Sequence, residues 1–183
     1  MRRPARELAA LSLVAGVACV RALRALGASG VSLKWPNDLM LGSAKLGGIL
    51  VETRAQGAAT LAVVGVGINW RHSPVLERRA RRKIAFLDRV PGFAATRNET
   101  LREAGRALLA ALATFEARGL DSVRREWEAM DAHAGQRLRV RLADGRVVSG
   151  VASGLGADGA LQLRTRAGLR AVASGRVLSS RAA

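Results

Sequence analysis

Cysteine, histidine, lysine and tyrosine are scarce or missing in this chain of 183 residues, and each shortage excludes a class of function. Cys19 stands alone, so no internal disulfide can form, and its apolar surroundings predict a buried thiol in a reducing, cytoplasmic compartment. The two histidines, His72 and His133, lie far from each other and from that cysteine, so no zinc-ligand spacing is present. Three Trp, three Phe and no Tyr are too few to supply the stacking platforms of a single-strand nucleic-acid binder. The apolar run Leu8 to Val20 follows a basic start and imitates a secretory signal, yet it is too short to span a bilayer. It continues past Cys19 to Leu26, with Arg21 and Arg24 on one side, and stops at Gly27, which predicts a buried helix and no membrane association.

Hydrophobic residues make up 49% of the chain, enough for a real core in one domain with a small appendage. The formal net charge of +16 is carried by arginine, because Lys34, Lys45 and Lys83 are the only lysines among 30 basic residues. Lysine is therefore a selective choice wherever it occurs. The arginines are spread from the first residues through Arg78 to Arg82, the helical region and the last strands. This predicts a general compositional bias, no specific DNA binding, and weak association with oligonucleotides at physiological salt.

Val31 to Trp35 alternates as a strand, Pro36-Asn37-Asp38 is turn chemistry, and Leu39 to Leu41 resumes the sheet. Gly42-Ser43 turns the chain into Lys45 to Thr53, and Gln56-Gly57 joins that strand to Thr60 to Trp70. Such short links predict antiparallel pairing. Residues 71 to 97, broken by Pro74 and Pro91-Gly92, read as a long basic loop with a little helix. Leu101, Ala104, Leu108, Leu112 and Phe115 have helical spacing over Thr100 to Arg118, and Asp121 can cap a second helix through Val123, Trp127 and Met130. From Gly135 the period changes to two: Leu138, Val140 and Leu142 point one way and Arg137, Arg139 and Arg141 the other, before the Asp144-Gly145 turn. Short strands recur to the end, which predicts a small five-stranded barrel. The fold class is α+β, with domains at 1–132 and 133–183.

One constellation concentrates chemistry. Lys34-Trp35-Pro36-Asn37-Asp38, Lys45-Leu46-Gly47-Gly48-Ile49 and Gly65-Val66-Gly67-Ile68-Asn69 fall within 36 residues on successive strands. Two of the three lysines stand there beside glycines that allow close backbone approach, so an anion would bind. Gly47, Gly48, Gly65 and Gly67 could equally serve to let the preceding helix pack closely.

The ordered set, the two helices after it and the terminal barrel together resemble the bacterial biotin-protein ligases over essentially all 183 residues. The resemblance implies a mixed sheet shared with lipoate ligases and class II aminoacyl-tRNA synthetases, followed by an SH3-like C-terminal barrel. It implies that biotin and ATP form biotinyl-5′-AMP, and that a lysine of the biotin carboxyl carrier protein of acetyl-CoA carboxylase then accepts the biotinyl group. Lys34 matches the family's motif lysine, catalytic and in contact with biotin. Lys45 matches a lysine near the nucleotide phosphates, and Asn69 an asparagine near the phosphates and Mg²⁺; no other protein ligand to a metal is implied. Gly47, Gly48, Gly65 and Gly67 match positions lining the biotin pocket, while Asn37 and Asp38 are assigned first to the turn. A homodimer is compatible with the pattern.

Members of that family carry a Gly/Arg-rich loop and further strands upstream of the opening helix, and nothing here matches them. The expectation is therefore a chain with a late start codon or a truncated product, weakly active alone. A helix-turn-helix is also unmatched, and an adenine-stacking tryptophan would fall near Ala85, where none stands. The competing readings are a non-catalytic partner-binding remnant, a lipoate ligase and a basic nucleic-acid-binding domain.

Overall fold

In the computed structural model, residues 1, 3–57, 59–80 and 82–181 are described. The opening helical run is divided: α1 spans Ala5–Leu8 and α2 spans Leu11–Ala25, with a turn at residues 9 and 10 in place of one continuous helix. α2 ends as the sequence predicts. Gly27 adopts φ 102°, its N–H reaches the carbonyl of Arg24, and the Ala28 N–H reaches that of Leu23, so two otherwise orphaned carbonyls are satisfied. Almost every α2 side chain from Leu11 to Leu23 is buried, and Cys19 among them has its thiol pushed up to about 11 by burial. No helix among the described residues is long and apolar enough to cross a membrane.

Four antiparallel strands follow in sequence order, β1 Val31–Lys34, β2 Asp38–Leu41, β3 Ala44–Gln56 and β4 Ala59–Ile68. α2 lies across one face of this sheet, where Gly16 faces the Leu33 and Ile49 side chains. Strand alternation then sends Ser32, Lys34 and Gly48 to the opposite face. The outer edge of β1 is covered by the segment after the last helix: Leu33 donates to Met130 O at 2.8 Å and accepts from Ala132 N at 2.7 Å.

Residues 71 to 96 contain α3 Pro74–Arg79 and one short 3₁₀ turn, in line with the sequence reading. α4 spans Arg97–Arg118, three residues longer at its start than the apolar spacing shows. Thr96 and Glu99 form a capping box that draws the first turn in. α5 is Arg124–Ala129. Asp121 does not cap it; Val123 holds the N-cap position with no side-chain bond, and Asp121 pairs with Arg124 at 3.0 Å.

The C-terminal strands β5 Arg137–Arg141, β6 Val147–Leu155, β7 Leu161–Thr165, β8 Gly168–Val172 and β9 Arg176–Arg181 form one antiparallel sheet ordered β8-β7-β6-β5-β9. No ladder joins β8 to β9 among the described residues, so the sheet is open where a closed barrel would be continuous. Its inner face, including Leu138, Val140, Leu161 and Leu163, belongs to the same buried cluster as α2 and Trp127. A polar tie crosses the junction: buried Trp35, between β1 and β2, donates its indole N–H to Gly159 O at 3.1 Å.

Candidate functional site

Pairing across the first sheet aligns Lys34 with Asp38, Asp38 with Gly48, and Gly48 with Gly67. One residue from each strand thus forms a row on the face turned away from α2. The three motif segments, separate in sequence, meet along this row.

Asp38 is its electrostatic centre. The carboxylate is ion-paired with Lys45 and lies 3.5 Å from Arg82. The β2–β3 register slips by one residue between Leu39 and Met40, so Lys45 pairs with Met40 while its ammonium reaches back to Asp38. That path runs close over Gly48, where a Cβ would lie 3.1 Å from Lys45 Nζ.

Lys34 is half-buried, and its ammonium is held below the usual lysine range. Burial is the largest cause; Asp38 opposes it, while Arg82, Lys45 and Arg176 push it further down. Lys34 therefore feels three other cations and one carboxylate, an excess of positive charge that an anionic ligand would relieve. His133 is held below its ordinary value by burial and by Lys34.

One depression lies on the row's face of the sheet and a second beside the helices. A groove of about 530 Å³ contains Ser32, Lys34 and Met40 from the first sheet, His133 and Gln136 from the connection, and Val177 to Ser180 from β9. A second, of about 370 Å³, is more apolar and lies beside Asn37, between the start of α2 and Ile49 to Val51. Asn37 fastens the turn to β3: its side-chain amide donates to Ile49 O at 2.7 Å and its own carbonyl accepts from Ile49 N at 2.9 Å. The turn role assigned to Asn37 is what the hydrogen bonds show.

The four glycines differ in their surroundings. A Cβ at Gly47 would collide with the Gly67 carbonyl, so its task is close β3–β4 approach. Gly65 and Gly67 are exposed, and a Cβ at either would meet nothing nearer than 3.7 Å. A Cβ at Gly65 or Gly67 would have no α2 atom within 4 Å, so the helix-packing alternative does not hold for these two. Asn69 donates its side-chain amide to Ala85 O at 3.1 Å and Lys45 O at 3.3 Å, tying the segment at Lys83 to Ala85 against β3. Ala85, where the resemblance would set an adenine-stacking residue, is thus brought to the motif strands.

Asp38, Arg82, His133 and Arg176 escaped sequence reasoning as site residues. Asp38 was readable, because a three-residue turn after Lys34 sets Asp38 opposite it in a hairpin. The other three arrive from distant segments and carry no local signal.

Asp131 adds a pH dependence at the edge of β1. Burial pushes its carboxyl up to about 6 from 3.8, against the His133 backbone N–H that donates to it at 3.0 Å. The folded state then holds a proton that the unfolded chain releases, so stability is greatest below the unfolded value and falls as pH rises towards 6. Asp131→Asn keeps an acceptor for His133 and is expected to raise stability at pH 7 by about 2 kcal/mol. It should also flatten the slope between about pH 4 and 6, where the two pKa values differ. Denaturant melts across that range test this; an Asn variant less stable at pH 7 would contradict it.

Comparison with known proteins bears on the same segments. Residues 2–69 match the biotin/lipoate A/B protein ligase family, and residues 133–178 match the biotin protein ligase C-terminal domain. The bifunctional ligase/repressor BirA of Escherichia coli is 38% identical over 154 residues, which are 84% of this chain and 47% of that protein. The biotin–[acetyl-CoA-carboxylase] ligase of Paracoccus denitrificans is 31% identical over 175 residues, covering 92% of this chain and 72% of the relative. Biotin protein ligase from Aquifex aeolicus, solved in complex with biotin and ATP, superimposes with a TM-score of 0.79 at 26% identity, over 96% of this chain and 72% of that one. The chain thus spans about half the length of the E. coli relative.

Proposed function

Because this chain belongs to the biotin protein ligase family, we propose that it serves ATP-dependent biotin ligation. The carboxylate oxygen of biotin attacks the α-phosphorus of ATP, and pyrophosphate leaves with the electron pair of the broken P–O bond. A lysine ε-amine then attacks the acyl carbon of biotinyl-5′-AMP, giving an amide, AMP and a proton. The observation that carries this reading is the row from Lys34 through Asp38 to Gly48, with Lys45 paired to Asp38: fixed positive charge in excess of negative, beside a glycine floor.

Each residue has a task in this proposal. Lys34 meets the biotin carboxylate and the α-phosphate oxygens, where charge concentrates as the mixed anhydride forms. Asp38 holds Lys45 across Gly48, towards the phosphates. Gly48, Gly65 and Gly67 form the floor against which biotin lies, and Gly47 keeps that floor flat by admitting the β4 backbone. Mg²⁺ fits as an ion carried by the nucleotide phosphates and water: no cluster of metal-ligating side chains occurs among the described residues, and Asn69 already uses its amide nitrogen, leaving only its oxygen.

We take residues 1–132 as the catalytic unit and 133–183 as a partly open SH3-like barrel. The acceptor is the biotin carboxyl carrier protein of acetyl-CoA carboxylase, and the compartment is the cytoplasm, where ATP and the carrier are found. A homodimer is compatible with this reading. Thermal melts with added ligand test the substrate class. Biotin with ATP should raise the unfolding midpoint increasingly with concentration, with about 2.7 kcal/mol of added stability at a hundredfold excess over Kd. A lipoate shift equal to or larger than that of biotin would transfer the site to the lipoate ligases.

A further inference from the structure

The outward face of the C-terminal sheet is an arginine surface. Arg137, Arg139 and Arg141 of β5, Arg164 of β7, and Arg176 and Arg181 of β9 are all exposed on it. The register sets Arg137 directly opposite Arg181, and Arg141 opposite Arg176. Arg164 faces Val151, the other partner of Arg137. Like charges paired across a ladder destabilise a sheet, and none of these six is ion-paired among the described residues.

Compositional bias does not account for this. Five arginines before residue 134 have acidic partners, Arg3, Arg21, Arg82, Arg102 and Arg124. From residue 134 to the end the sequence holds nine arginines and only Asp144 and Asp158 as acids, and Asp144 is already paired with Arg146 at 2.6 Å. Within that general spread of arginine, this face sets like charges directly opposite one another.

Resting on the ligase reading, we propose that this face docks the acidic surface of the carrier domain that presents the target lysine. The acceptor amine must reach an acyl group beside Lys34, so its protein has to bind next to that groove. β9 joins the two places: Val177 to Ser180 line the groove, and Arg176 lies close enough to lower the Lys34 pKa. Residues 134–183 contain no aromatic side chain on which a base could stack, so carboxylates of a protein suit the surface better than a nucleic-acid strand. A charged rim of this kind acts mainly on the association rate and on its salt dependence.

The test is the triple variant Arg137→Gln/Arg139→Gln/Arg141→Gln, titrated with purified apo biotin carboxyl carrier domain at low and physiological salt. Binding to the unaltered protein should weaken as salt rises. The variant should bind roughly tenfold more weakly at low salt, with a flatter salt slope. Its thermal midpoint should be unchanged or raised, since like-charge pairs are removed, and its biotin-dependent pyrophosphate exchange should be unaltered. Equal affinity and equal salt slope in the two proteins would overturn the proposal, as would duplex DNA bound more tightly than the carrier domain and released by the same substitutions. No biotin-dependent or ATP-dependent thermal shift in either protein, with carrier binding still lost in the variant, would refute the ligase reading and leave the docking surface standing.

Discussion

Lys34→Ala is expected to lower biotin-dependent ATP–pyrophosphate exchange by roughly 10²-fold or more, the range seen when a single electrostatic stabiliser of a developing anion is removed. The same substitution should leave stability unchanged or slightly raised. Lys34 is half-buried among Arg82, Lys45 and Arg176, and burial together with these cations holds its ammonium below the usual range. Its charged form is thus disfavoured in the fold without ligand, and removing it relieves repulsion that Asp38 only partly offsets. A structural lysine would show the reverse, with lost stability and modest change in rate. Exchange measured with biotin present, beside a thermal melt of the same preparation, separates the two; an unchanged exchange rate would remove Lys34 from the chemistry. Because the chain spans about half of the E. coli relative, exchange is best measured on it beside the Paracoccus denitrificans ligase as a positive control.

Gly47→Ala is expected to destabilise the protein by about 3 kcal/mol, at the upper end for overpacking. The added Cβ would meet the Gly67 carbonyl oxygen, and the Gly67 carbonyl carbon and Ile68 Cα would lie 3.3 Å away. All of these are backbone atoms held in the β3–β4 ladder, where Gly47 pairs with Ile68 and Asn69 N donates to Leu46 O at 2.8 Å. No rotamer change can relieve the contact, so β4 must retreat from β3, and the pairing of Gly48 with Gly67 opens. Gly65→Ala is the control. Its Cβ would meet nothing nearer than 3.7 Å, so stability should move by less than about 0.5 kcal/mol. Biotin affinity should nevertheless fall if Gly65 lines the pocket. Denaturant melts and biotin titrations of the pair give four numbers. A stable Gly47→Ala protein would show that the close approach of the two strands is not needed.

Local patterning made most of the elements legible. Alternation in Val31 to Trp35 and in Arg137 to Leu142, the Pro36-Asn37-Asp38 turn and the glycine stop at Gly27 each act over a few residues, and each is found where its chemistry sets it. What needs non-local information was lost. The break before Leu11 has no glycine or proline to mark it, and the first turn of α4 depends on the Thr96–Glu99 capping box more than on apolar spacing. The site was half legible. Scarce lysines marked Lys34 and Lys45, but the counter-ion role of Asp38 depends on the slip between Leu39 and Met40, which no composition reveals. Arg176 and Arg181 reach the face of Arg137 and Arg141 only because the last strand pairs with β5 in preference to its sequence neighbour β8.

Formation of biotinyl-5′-AMP from ATP labelled at the α-phosphate, followed by transfer of labelled biotin to the apo-carrier domain, tests the ligase reading most directly. Label should appear in the adenylate only when biotin is added, and in the carrier only after the adenylate has formed. Both should be lost in Lys34→Ala. Adenylate formed equally well with lipoate, or ATP consumed without regard to biotin, would contradict the assignment of this site to biotin ligation.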